Sequence, residues 1–69
     1  MVEVFKTNVQ EDVQAKNLVA LLLHHFPDSR INFDLDDCDK ILRVEGNGYV
    51  MEKVIMLVTE NGFACKALD

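Results

Sequence analysis

The 69-residue chain has no tryptophan, one proline, three glycines and two cysteines. So little Pro and Gly excludes a collagen-like or low-complexity chain. Two cysteines are too few for the disulfide framework of a small secreted domain, and Cys38 and Cys65 lack Cys-x-x-Cys spacing. Free thiols in a reducing compartment are the expectation. Cations are also scarce. Seven Lys+Arg stand against twelve Asp+Glu, giving 7 − 12 = −5. Without a basic stripe to displace counterions, neither nucleic acid nor an anionic membrane is an expected partner. The longest apolar run, Leu18 to Leu23, is far below the roughly 20 residues a bilayer requires. The opening residues, Met1 to Lys6, have no basic segment followed by a long apolar one. No signal peptide and a cytoplasmic location are therefore expected.

What is present is an ordinary globular mixture, about half apolar. The length fits one domain over residues 1–69 and is too short for an enzyme with its own substrate cleft. Val2 and Val4 alternate with Glu3, which predicts a strand over 2–6. Asn8 then fits a helix cap, with Glu11 three residues on. Glu11 and Asp12 put negative charge where the helix dipole favours it. At 100° per residue, Ala15, Leu18, Val19, Leu22, Leu23 and Phe26 share an arc, so the helix is expected to reach His25 or Phe26. Leu21 falls among the polar residues Gln14, Asn17 and His24. Pro27 ends the helix.

Residues 30–45 read as a hairpin. Ile31, Phe33 and Leu35 alternate with polar residues, 36–39 supply turn chemistry, and Leu42 and Val44 mark the inner face of the return strand. Gly46-Asn47-Gly48 breaks the chain. A second helix is expected over about Val50 to Glu60, with Val50, Val54, Leu57 and Val58 inward and Met56 outward. Gly62 suits its left-handed C-terminal position. Residues 63–68 form the last strand, with Cys65 inward beside Phe63 and Ala67. The order β-α-β-β-α-β predicts an α+β, ferredoxin-like fold. It has a four-stranded antiparallel sheet, order 4-1-3-2, with both helices on one face. Phe5, Ile41 and Leu68 are expected on the uncovered face.

Three segments carry a resemblance to a family. Ile31-Asn32-Phe33-Asp34-Leu35 is similar to a V-x-V-D-L second strand. Leu42-Arg43-Val44-Glu45-Gly46 is similar to the third strand, and Glu60-Asn61-Gly62-Phe63 to an x-x-G-Y helix ending. In this order they resemble the heavy-metal-associated domains, which include small copper chaperones and modules of metal-pumping ATPases. That family holds soft metal ions between the thiolates of Met-x-Cys-x-x-Cys. Here the stretch is Gln10-Glu11-Asp12-Val13-Gln14-Ala15. Asp12 and Ala15 occupy the two cysteine positions, so the resemblance implies the scaffold without its thiolate chemistry.

The remaining candidates have modest signals. Asp12 is expected at the same end of the sheet as Asp36, Asp37 and Asp39. With Cys38 these form a possible non-standard metal set, although helix-start and turn chemistry are the simpler explanation. His24 and His25 point about 100° apart on a helix and suit its C-terminal dipole better than a shared ion. Leu21 and Met56 form a candidate apolar surface for a protein partner or a homodimer. Ser29 is the only serine and no phosphate loop is visible, so no enzymatic activity and no cofactor are expected. Three readings follow. The first is an interaction module, the second a metal binder with unusual ligands, and the third a small-ligand sensor.

Overall fold

The computed structural model describes residues 1–68. In chain order the elements are β1 (Val2–Thr7), α1 (Asp12–His25), β2 (Arg30–Asp34), β3 (Ile41–Glu45), α2 (Met51–Glu60) and β4 (Cys65–Ala67). The four strands make one antiparallel sheet in the order β2-β3-β1-β4. This is the expected 4-1-3-2 order read from the opposite edge. No helix among the described residues is long and apolar enough to cross a membrane.

The strand register fixes the two faces. Residues directly opposite one another share a face. Phe5 lies opposite Leu42 and Ala67, Phe33 opposite Leu42, and Ile31 opposite Val44. Phe5, Leu42 and Val44 are fully buried in one cluster with Leu22 within α1, Phe26 just after it, and Val54, Leu57 and Val58 of α2. Both helices therefore cover the same face. The other face carries Val2, Val4, Lys6, Arg30, Asn32, Asp34, Ile41, Arg43, Glu45 and Lys66 at alternate positions.

Two expectations about faces are corrected. Phe5 is in the core, and Val2 is exposed. The alternation of Val2 and Val4 is equally an alternation of Glu3, Phe5 and Thr7, and a period of two does not say which set goes inside. The larger apolar area of Phe5 decides it, and buried Thr7 is tolerated because its hydroxyl donates to the Lys40 carbonyl. Val50 also leaves the core. It caps α2 in extended conformation and is exposed. Ile41 lies on the uncovered face as expected, yet is buried.

The helix ends show how local chemistry overrides pattern. α1 starts at Asp12, later than expected, because Glu11 and not Asn8 is the cap. Glu11 and Gln14 form a reciprocal capping box, with the Glu11 amide donating to Gln14 Oε1 at 3.3 Å. α2 ends as expected. Gly62 has φ +91°, and its amide donates to the Thr59 carbonyl at 3.0 Å.

The corrected face of β1 makes a direct prediction. Phe5→Ala should lower unfolding free energy by about 3–5 kcal/mol, a typical cost for deleting a buried aromatic. Val4→Ala on the uncovered face should cost about 1 kcal/mol. Urea unfolding midpoints of the two variants check the order.

Candidate functional site

Three connections meet at one end of the sheet: 8–11, 35–40 and 61–64. Hydrogen bonds tie them together. The Thr7 amide donates to the Asp39 carbonyl at 3.0 Å, and the Ala64 amide donates to Asn8 Oδ1 at 2.8 Å. Asn8 is thus a clamp between the end of β1 and the approach to β4 rather than a helix cap. Beneath the connections, Val9, Ala15 and Leu18 form a small buried cluster, with Phe33, Leu35 and Phe63 packed against it. Ala15, at 7% exposure, is one of its walls. Asp12 is exposed at the first turn of α1.

Two carboxylates at the connection between β2 and β3 serve its own folding. Asp34 Oδ1 accepts from the Asp36 amide at 3.2 Å, and Asp37 Oδ1 accepts from the Asp39 amide at 2.8 Å. These are the local side-chain turns that make Asp common in such loops. Lys40 closes the turn in left-handed conformation, φ +46°. Its amide donates to the Asp37 carbonyl at 3.0 Å, and its ammonium to the Leu35 carbonyl at 2.9 Å. Asp39 pairs with Lys6 across 3.6 Å on the surface, a contact worth little in water.

The structure divides the expected acidic set. Ligand atoms of Asp37, Cys38 and Asp39 lie within 4.8 Å of one another. Asp12 and Asp36 do not belong to that group, which corrects the expectation that Asp12 joins it. They instead line an open groove of about 470 Å³ between α1 and β2, with Val19, Ile31, Phe33 and Leu35. Asp12 begins α1 and Asp36 follows β2, so both border the groove between those elements, while the Asp37 side-chain turn keeps Asp37, Cys38 and Asp39 together.

The outward placement expected of Leu21 is also corrected. Met56 is 43% exposed, but Leu21 is half-buried against the main core. On α1, Val19 lines the β2 groove, and Leu21 lies 200° further round, toward the α2 side. α1 packs on both the sheet and α2, so its buried arc is wider than a single-face projection allows. His24 and His25 are exposed at the end of α1, with ring centroids 5.6 Å apart and planes at 90°. Ser29 is buried at the opposite end of the sheet, where a Cβ on Gly46 would meet its Oγ at 3.2 Å.

The groove beside β2 is what sequence reasoning missed. Its signal is present in the alternation of Ile31, Phe33 and Leu35, which are only half-buried because β2 is an edge strand. Knowing that a strand alternates does not reveal whether a helix fully covers its inner face.

The two thiols are free and differ in setting. Cys38 is exposed, whereas Cys65 is half-buried against the core, and burial pushes its pKa from 9.0 up to about 11. Burial, then the charge of Glu3, also raises the Tyr49 phenol. At pH 8 a thiol reagent should label Cys38 rapidly and Cys65 slowly, and mass spectrometry after timed quenching distinguishes them. The raised value means that the folded state holds the Cys65 proton more tightly than the unfolded chain. Its contribution to stability is therefore full below pH 9 and is lost as pH rises through about 11. The urea midpoint of the parent should fall more steeply over that window than that of Cys65→Ala.

No family model, curated protein or solved structure matches this chain.

Proposed function

We propose that this domain is a non-enzymatic interaction module, a metallochaperone-like scaffold that acts in the cytoplasm through its surface and not through a thiolate metal site. The observation that carries this reading is Ala15. It stands at the second cysteine position of the resembled motif, and it packs as a wall of a buried apolar cluster with Val9 and Leu18. A metal-transfer site needs two accessible soft donors at that corner. An exposed carboxylate lacks the softness, and a buried methyl group has no donor atom. Two of the acids nearby, Asp34 and Asp37, accept turn hydrogen bonds, which supports a structural role for those two.

A second reading has one observation in its favour. Asp37, Cys38 and Asp39 hold three donor atoms within 4.8 Å. Against it, a hard cation such as Ca²⁺ seeks six to eight oxygens, and a soft one gains a single thiolate here. Asp39 must also leave Lys6.

Competition with a colorimetric copper(I) chelator separates the readings. The domain should leave all copper(I) with the chelator, and zinc titrated in a calorimeter should bind no tighter than about millimolar, roughly 4 kcal/mol. Copper(I) withdrawn from the chelator at one ion per chain overturns the proposal. Micromolar zinc binding abolished by Cys38→Ser establishes the second reading in its place.

A further inference from the structure

β2 is one of the two sheet edges. Its outer side offers unpaired backbone groups, which natural proteins cover, blunt or use for pairing. The strand reads Arg30-Ile31-Asn32-Phe33-Asp34 and contains no proline, lysine or glycine.

That sequence complements itself. When β2 is laid antiparallel against a second copy with Asn32 facing Asn32, Arg30 stands opposite the partner's Asp34, and Asp34 opposite the partner's Arg30. Ile31 stands opposite the partner's Phe33. The charged pairs fall on the uncovered face, since Arg30 and Asp34 lie across from Glu45 and Ile41 of β3. The apolar pairs fall on the helix face, where Ile31 and Phe33 are half-buried and border the groove with Val19. A two-fold operation thus satisfies both faces at once, as an isologous interface requires.

The opposite edge lacks this property. β4 has three residues, and Lys66 already lies across from Lys6. Self-pairing centred there places Lys66 against the partner's Lys66, and like charges directly opposite are unfavourable.

We propose that the domain self-associates through antiparallel pairing of β2, which joins two four-stranded sheets into one of eight strands. The two α1–β2 grooves then come together at the seam, and the partner copy covers the half-exposed Val19, Ile31 and Phe33. This deepens the interaction-module reading and rests on it, but the two fail separately. A monomer overturns the β2 dimer and leaves the copper(I) result untouched.

Sedimentation equilibrium with charge reversals at the paired ends tests the dimer. The parent chain should show a concentration-dependent monomer–dimer equilibrium. Asp34→Arg alone, and Arg30→Asp alone, should each weaken it at least about tenfold, because each turns both end pairs into repulsions. Mixing the two variants should restore association, since every pair is again of opposite sign. Asp34→Glu should dimerise like the parent. Arg30 faces Glu45 within its own chain, so the Arg30→Asp chain is checked by circular dichroism first. If it is unfolded, the comparison of Asp34→Arg with Asp34→Glu decides alone. A parent chain that stays monomeric at millimolar concentration, or a dimer that Asp34→Arg leaves intact, overturns the proposal.

Discussion

The fold depends on a single stripe of apolar side chains on the two central strands. Phe5, Leu42 and Val44 are fully buried on one face of β1 and β3, and both helices close over them. Burying a large apolar side chain contributes roughly 1.5–3 kcal/mol. A chain of this size has few such residues, so the inner strands take the largest share of cover. The edge strands take what remains. β2 and β4 hold side chains that are half-buried on the same face, and this uneven cover produces the groove beside α1.

The apolar packing continues into the corner where, on the proposed reading, a metallochaperone-like scaffold would hold its ion. The second small cluster, Val9, Ala15 and Leu18, extends the core under the connections at one end of the sheet. A thiolate pair needs that corner open and polarisable. An alanine there adds to the packing, and the adjoining acids fold their own loop through side-chain turns.

Most of the architecture was legible in the residues. The hairpin alternation of Ile31, Phe33, Leu42 and Val44, the break at residues 46–48 and the terminating Gly62 all mark real elements. Failures occurred where one pattern admits two solutions. In β1 either alternate set satisfies the period, and only the size of Phe5 tips the choice. At α1 two caps were available, and the Glu11–Gln14 box prevailed while Asn8 was drawn away to Ala64. Leu21 looked exposed because a helical projection considers one covering face, whereas α1 has the sheet on one side and α2 on another. The acidic set was over-gathered for a related reason. Topology brings connections to one end of a sheet, but hydrogen bonds within each loop decide which carboxylates meet.

The proposed function places the work of this domain at a surface, the edge of β2, and not at an ion held by the acidic turn. Amide NMR spectra recorded over a protein dilution series, with and without added zinc, test this in one measurement. Dilution should shift the amides of Ile31 to Asp34, and micromolar zinc should leave those of Asp37 to Asp39 unchanged. A spectrum in which zinc moves Asp37 to Asp39 and dilution moves nothing along β2 would contradict it.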